Sequence, residues 1–164
     1  MGSRIPKLFG GISTDLTFKG FDFSVLTAYS LGGVTYDGLY SGAMNIMYNG
    51  DTWHKNQLRR WQKPGDVTDV PRVMQNPSWV GTANDRFLID ASYFAIKSIS
   101  FGYTVPQKWL RKADMGSVRV FGILDNFMLF SHLNGLDPQY NFAGGNNYVY
   151  NPSRNISIGI DVHF

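Results

Sequence analysis

Five segments of the chain alternate between apolar and polar side chains, which is the pattern of β-strands with one face in apolar surroundings. The alternation predicts strands over 11–18, 21–31, 92–105, 117–126 and 154–164. In the last segment, apolar side chains occupy every second position, namely Ile156, Ile158, Ile160, Val162 and Phe164. Polar or small residues stand between them. This segment therefore predicts a strand with one apolar and one polar face.

Local details refine four of the strands. Lys19-Gly20 separates the first two, and a two-residue connection ending in glycine predicts a tight hairpin. In the third strand the apolar positions change from even to odd at Lys97-Ser98, which predicts a β-bulge there. In the fourth strand Arg119 and Asp125 share their parity with Phe121 and Ile123, so its facing stays open.

The connections between the strands differ greatly in length. Lys19-Gly20 is short and 106–116 is moderate, whereas 32–91 and 127–153 are long. Because alternate connections of an antiparallel sheet lie at the same end, both long loops share one end. Within 32–91 we expect an ordered loop with one short helix over 53–61, ended by Pro64-Gly65.

Composition narrows the class of protein. Charged residues make up 16% and aromatic residues 15% of the 164, and there are 18 glycines and no cysteine. The net charge of +3 is spread out, which argues against a nucleic-acid partner. No apolar run approaches the roughly 20 residues of a membrane-spanning helix. No signal-peptide core follows the first residues, which predicts a piece of a longer, exported protein.

A strand of this length that ends on an aromatic residue is typical of the closing strand of an outer-membrane β-barrel. The fold class we predict is therefore all-β, an antiparallel transmembrane β-barrel segment of about five strands that is incomplete on its own. Short periplasmic turns and long extracellular loops fit such a barrel. The five apolar residues of the last strand, Ile156 to Phe164, are then expected to face lipid.

Several segments also resemble motifs of the SusC/RagA-type TonB-dependent outer-membrane transporters. They are RWQKPGDVTDVP at 60–71, DASYFAIKSISFGYTVP at 90–106, VRVF at 118–121 followed by Asp125-Asn126, and GLDP at 135–138. Near the start, Pro6-Lys7, Gly10-Gly11 and KGFD at 19–22 fit as well. The chain departs from the family at Ala95, where a longer polar residue is usual, and at Asp125, where glutamine is frequent.

The resemblance implies the carboxy-terminal part of a nutrient importer in the Gram-negative outer membrane. It implies uptake of oligosaccharides or peptides, a SusD-like surface lipoprotein as a lid, and energy from TonB through a missing amino-terminal region. The final strand, with its terminal Phe164, resembles the segment read by the outer-membrane assembly machinery. We expect this chain to contribute barrel wall and outer loops, without catalysis or a cofactor.

Candidate chemistry is sparse. The three histidines, His54, His132 and His163, lack metal-ligand spacing. For the loop aspartates Asp66, Asp69 and Asp85, hydrogen bonds that hold the loop together are favoured over a calcium site. No catalytic motif is present. The better candidates for ligand or partner contact are the aromatic residues of the two long loops, which otherwise pack the loops or form an interface girdle. They are Trp53, Trp61, Trp79, Tyr140, Phe142, Tyr148 and Tyr150.

Two other functions stay open on the sequence. One is a soluble β-domain that binds carbohydrate through aromatic loops. The other is a hydrolase, which requires paired acids that the sequence does not bring together.

Overall fold

A computed structural model describes residues 2–44, 52–73, 84–110, 115–132, 137–139 and 150–164. Most of these residues form a five-stranded antiparallel sheet with the strand order β1-β2-β5-β6-β7. A separate hairpin of β3 and β4 lies in the connection between β2 and β5. The strands are β1 (Leu8–Phe18), β2 (Phe21–Leu31), β3 (Val34–Tyr36), β4 (Leu88–Asp90), β5 (Tyr93–Thr104), β6 (Ser117–Ser131) and β7 (Asn155–His163).

The helical elements that the structure describes are short and lie in the connections. They are the α-helices α1 (Gly38–Ala43) and α2 (Gln107–Leu110) and the 3-10 helices η1 (Lys55–Arg59) and η2 (Asp85–Phe87). The helix expected over 53–61 is thus a shorter 3-10 helix, and it ends at Arg59, before Pro64-Gly65, because Arg60 is already extended. Among the described residues, no helix is long and apolar enough to cross a membrane.

The Lys19-Gly20 connection forms the expected tight turn between β1 and β2. Both residues have positive φ, 48° for Lys19 and 89° for Gly20, as a primed two-residue hairpin requires. The Gly20 carbonyl accepts a hydrogen bond of 2.7 Å from the Thr104 backbone, which ties the turn to the end of β5. A β-carbon at position 20 would lie 2.8 Å from the Thr104 carbonyl oxygen, so glycine is required here for space as well as for conformation.

The parity change in β5 is a β-bulge at Lys97. Ile96 pairs with Thr27 of β2 and Ser98 pairs with Leu26, which leaves Lys97 without a partner in that register. The pairing of β5 with β6 shifts at the same place, where Asn126 adopts φ 51°. This second irregularity corrects the predicted end of the fourth strand, because β6 passes through Asn126 and continues to Ser131.

The register gives the sheet two faces of opposite chemistry, since residues directly opposite each other share a face. The apolar face runs through large side chains of all five strands, for example Leu16, Phe23, Phe101, Val120 and Ile160. These five are 37–64% exposed, so no described element covers this face. The polar face carries serines, threonines and the charged residues discussed below.

The long connection between β2 and β5 has a small core of its own. Met44, Val70 and Phe87 are buried together, with Tyr36 and Tyr40 packed against them. Asp37 caps α1 by accepting a 2.8 Å hydrogen bond from the Tyr40 backbone. Apolar burial in the described structure is therefore concentrated in this loop rather than on the sheet. We call residues 32–44, 52–73 and 84–91 the loop unit.

Candidate functional site

The polar face holds the charged side chains of the five-stranded sheet, apart from Lys97 at the bulge. By register these are Asp15, Asp22, Asp125, Asp161 and Arg119. The register also settles the facing of the fourth predicted strand. Arg119 and Asp125 lie on the polar face together with Phe121 and Ile123, while Val118, Val120 and Leu124 lie on the apolar face.

An ion-pair network crosses the polar face near the short turns. Arg119 of β6 donates two hydrogen bonds to Asp22 of β2, from Nε to Oδ1 at 3.1 Å and from Nη2 to Oδ2 at 2.6 Å. Its Nη1 lies 3.8 Å from Asp161 Oδ2 on β7. The intervening strand β5 presents Gly102, where a β-carbon would lie 2.5 Å from Asp22 Oδ2. The absence of a side chain at position 102 thus permits the pairing.

Smaller polar contacts continue along the same face. Ser24 and Ser100 share a hydrogen bond of 2.7 Å between their hydroxyls, and Ser98 donates one of 2.9 Å to Asp125. The Phe121 ring lies 5.1 Å from the Arg119 guanidinium, a cation–π distance. Hydrogen bonds and ion pairs therefore join the strands across the polar face, and the carboxylates of Asp22 and Asp125 accept such bonds.

An apolar cavity of about 410 Å³ opens on the polar face at the end that carries the long connections. Phe9 of β1, Ser30 of β2 and Tyr93 of β5 are neighbours across three strands and form its floor. Its walls come from the amino-terminal segment and the loop unit. The lining residues are Arg4, Ile5, Pro6, Phe9, Ser30, Gly32, Val34, Ala91, Tyr93, Pro138 and Gln139.

A second, polar cavity of about 330 Å³ lies next to the first, and Gln139 lines both. Ala95 and Leu129, which pair on the polar face, form part of it. Its polar groups are two cations, one carboxylate and three amides, from Lys97, Arg154, Asp137, Asn126, Gln139 and Asn151.

Asp137 is almost fully buried between these cavities, with 3% of its surface exposed. Its carboxylate accepts hydrogen bonds from the backbone and the side chain of Gln139, at 2.9 and 3.1 Å. Within the described residues, neither Lys97 nor Arg154 forms an ion pair with a carboxylate. Arg154 lies 5.7 Å from the Phe127 ring. The polar cavity therefore presents two cations that have no ion-pair partner among the carboxylates of the described residues.

The predicted loop aromatics lie elsewhere. Trp53 is 40% exposed on the loop unit, Trp61 is half-buried, and Tyr150 is 91% exposed before β7. None of these three lines either cavity. Trp79, Tyr140, Phe142 and Tyr148 fall outside the described residues.

Sequence reasoning missed Phe9 and Tyr93 as residues of a cavity. Phe9 has odd parity in β1, so it falls on the face otherwise occupied by Ser13, Asp15 and Thr17. An aromatic residue on the polar side of an alternating strand is the signal that identifies it.

Polar residues of the loop unit have local structural roles. Asp66 accepts hydrogen bonds from the backbones of Gln62 and Lys63, at 2.9 and 3.0 Å, and Asp69 lies 3.8 Å from Arg59. His54 accepts a bond from the Asn56 backbone and packs edge-on against Tyr40. Over the described residues, no group of three His, Asp or Glu side chains is placed to hold a metal ion.

A hydrogen-bonded clamp closes the base of the loop unit. Asp90 Oδ1 accepts bonds from the hydroxyl and the backbone of Ser92, at 2.6 and 2.9 Å. The Ser92 hydroxyl oxygen in turn accepts a 2.8 Å bond from the Gly32 backbone. These bonds from Ser92 hold the pKa of Asp90 below its usual value, with the side-chain bond as the largest cause.

Comparison with known proteins gives relatives of one kind. The TonB-dependent receptor P3 of Formosa agariphila is 30% identical over 165 residues, 98% of this chain and 15% of the relative. The TonB-dependent receptor SusC of Bacteroides thetaiotaomicron is 26% identical over 131 residues, 79% of this chain and 12% of the relative. No family model matches the chain.

Solved structures of a peptide transporter resemble this chain over nearly its whole length. The RagAB peptide transporter superposes with a TM-score of 0.82 at 25% identity, over 99% of this chain and 18% of the matched chain. The RagAB peptide importer in its 'open-open' state gives 0.75 over the same shares. The chain thus spans less than a fifth of the length of these proteins.

The predicted antiparallel β fold is confirmed, and the five strands do not close a barrel. In sequence and in fold, the chain matches a segment of the TonB-dependent transporters of the SusC/RagA type, as its motifs predicted.

Proposed function

We propose that this chain is barrel wall and outer loop of an outer-membrane importer that takes up oligosaccharides or peptides with energy from TonB. The observation that carries the proposal is the separation of chemistry between the two faces of the sheet. One face is a continuous apolar surface that nothing in the described structure covers, and the other carries the charges. A barrel wall between lipid and a wet lumen needs this arrangement.

The apolar face is then the lipid-facing surface. In β7, Ile156, Ile158 and Ile160 are 64–82% exposed, Val162 is 41% exposed, and Phe164 after the strand is 95% exposed. Such exposure is costly in water, because each large apolar side chain forfeits about 1.5–3 kcal/mol of burial free energy. Contact with lipid removes that cost.

The two ends of the sheet support an orientation. The Lys19-Gly20 turn, the end of β5, the start of β6 and the end of β7 lie at one end, which we assign to the periplasm. The loop unit and the end of β6 lie at the other end, which we assign to the cell exterior. The two cavities on the polar face then open into the lumen near its outer mouth.

The proposed partners follow from the same assignment. A SusD-like surface lipoprotein covers the outer mouth, and Trp53, Trp61 and Tyr150 are candidates for contact with it or with ligand. TonB acts through an amino-terminal region of the longer protein, and the assembly machinery reads β7 and Phe164. The relatives named as SusC and as the RagAB peptide importer support this general scheme. The proposed role includes no catalysis.

Uptake in cells tests the proposal. The full-length gene is expressed in its host, with or without tonB, and cells are offered fluorescent oligosaccharide and peptide mixtures. We expect uptake that depends on both the gene and tonB, and that falls when the gene for the SusD-like lipoprotein partner is deleted. Uptake unaffected by loss of the gene, or a protein that fractionates away from the outer membrane, contradicts the proposal.

A further inference from the structure

We propose that the two adjoining cavities on the polar face are paired subsites for a peptide, which places an apolar side chain in the first and a carboxylate in the second. The inference rests on the proposed importer function, because it takes the polar face as the lumen wall. It goes further by choosing peptides over oligosaccharides and by assigning the residues that select them.

The first subsite has the lining of a side-chain pocket. Ile5, Phe9, Val34 and Pro138 contribute carbon surface, which exceeds the polar surface of the cavity. The polar side chains that line it are those of Arg4, Ser30, Tyr93 and Gln139. Its volume of about 410 Å³ is within the range of small-ligand sites. An oligosaccharide carries hydroxyls around the edge of every ring, and this largely apolar lining leaves most of them without partners. A leucine-sized or phenylalanine-sized side chain does not.

The second subsite has the charge for an anion. The cations Lys97 and Arg154 line it, and no described carboxylate forms an ion pair with either. The buried carboxylate of Asp137 is directed to Gln139, from which it accepts two hydrogen bonds. A ligand carboxylate therefore meets two cations here, whereas a neutral oligosaccharide leaves both charges unused.

The backbone holds the two subsites side by side. Gln139 lines both cavities, and the buried residues Asp137 and Pro138 precede it. Lys97 lies at the bulge of β5, and Asn126 adopts positive φ opposite it. Both residues line the polar cavity at the point where the pairing of β5 with β6 is irregular. Side chains two residues apart in an extended peptide point to the same side and lie about 6.6 Å apart along the chain. Adjoining pockets of opposite chemistry on one face of the sheet suit such a pair.

The test uses purified full-length importer and a blocked pentapeptide in which one residue separates leucine from glutamate. Calorimetry compares it with peptides in which serine replaces leucine or glutamine replaces glutamate, and with maltohexaose. A glutamine peptide with a free carboxy-terminus shows whether a terminal carboxylate substitutes for the side chain. Ala91→Phe fills the first subsite, and Lys97→Gln and Arg154→Gln neutralise the second. The matched controls are Val67→Phe on the exposed loop and Lys108→Gln at the opposite end of the sheet.

We expect Ala91→Phe to weaken the leucine peptide about tenfold and to leave the serine peptide unchanged. Each charge variant is expected to weaken the glutamate peptide about three- to tenfold without affecting the glutamine peptide. The controls are expected to bind as the wild type does. Should Ala91→Phe fail to assemble, Val34→Phe fills the same cavity from its other wall.

Binding of maltohexaose without binding of any peptide overturns the inference, as does equal loss of all peptides in every variant. Uptake experiments separate this failure from failure of the proposed function. Cells that import maltohexaose but no peptide retain an importer and refute the peptide subsites. Peptide selectivity in the purified protein supports the subsites even where uptake does not depend on TonB.

Discussion

Arg119 of β6 and Asp22 of β2 form a bidentate ion pair although β5 lies between their strands. The two hydrogen bonds, of 3.1 and 2.6 Å, span 97 residues of sequence. Gly102 leaves the space through which the guanidinium passes, and Asp161 of β7 stands on its other side at 3.8 Å. One arginine therefore links three strands of the sheet and favours a single register among them.

Replacing Gly102 with alanine tests this link. The new β-carbon would lie 2.5 Å from Asp22 Oδ2 and 2.7 Å from Arg119 Nη2, so the ion pair has to separate. We expect the full-length variant to unfold at a temperature several degrees below that of the wild type. The loss of the folded band in detergent gels after heating measures this temperature. Gly122→Ala is the matched control, because its β-carbon meets only the Ser157 carbonyl at 3.8 Å. Equal transition temperatures for the two variants contradict the role of Gly102.

A lysine on either face of β7 tests which face meets lipid. Ile158→Lys places a charge in the middle of the apolar face and is expected to cost about 2–4 kcal/mol in a membrane. Ser157→Lys places the same charge on the polar face, opposite Ile123, where we expect little change. Urea unfolding of the full-length protein from lipid vesicles measures both. A larger loss for Ser157→Lys reverses the proposed orientation of the faces.

Two substitutions in the first turn are expected to act in opposite directions. Gly20→Ala is expected to destabilise the fold by about 1 kcal/mol or more, because the residue has φ 89° and faces the Thr104 carbonyl at 2.8 Å. Lys19→Asn is expected to stabilise it by roughly 0.5 kcal/mol, since asparagine tolerates positive φ better than lysine does. Urea midpoints of the two variants check the signs, and a stabilising Gly20→Ala excludes the primed turn.

Acid is expected to open the base of the loop unit only at low pH. The folded-state pKa of Asp90 lies below the ordinary 3.8, so its bonds to Ser92 are fully present above that value and are lost as pH falls through the folded pKa. Hydrogen exchange at the Gly32 amide, which donates to Ser92, reports the loss. The Lys7 amide is the reference, because it donates its hydrogen bond to the Leu31 carbonyl and not to a titratable group.

Loss of Gly32 protection already between pH 5 and 6 contradicts a lowered pKa for Asp90. Ser92→Ala removes the clamp at every pH and sets the unprotected baseline for the same amide.

The isolated chain is expected to aggregate in buffer and to stay dispersed in detergent. Its apolar face meets water, and β1 and β7 present unpaired edges in the described sheet. Light scattering with and without detergent measures the difference. A cooperatively unfolding monomer in buffer favours the soluble carbohydrate-binding domain over the barrel segment.

Alternation along the chain was sufficient to predict the five long strands and the bulge at Lys97. Both follow from local rules, the period of two and its interruption. The extension of β6 beyond Asn126 did not follow, because an asparagine after Asp125 has the composition of a strand end. Its positive φ allows the strand to continue as a bulge, and that conformation depends on pairing with β5.

Contacts between residues that are distant in sequence could not be predicted from local sequence patterns. The parity of Arg119 gave its face only in combination with the register, and its pairing with Asp22 depends on a glycine in a third strand. Phe9 and Tyr93 meet across Ser30 for the same reason. The loop aromatics were predicted from residue type alone, and the three that the structure describes lie away from both cavities.

The small core of Met44, Val70 and Phe87 gives the loop unit a source of stability separate from the sheet. Exposed positions around that core, such as Leu58 and Val67, are free to change without altering strand register. The loop unit is therefore a part of the protein that can diversify while the sheet stays constant. Grafting this loop between related barrels is expected to transfer surface recognition and to leave assembly intact.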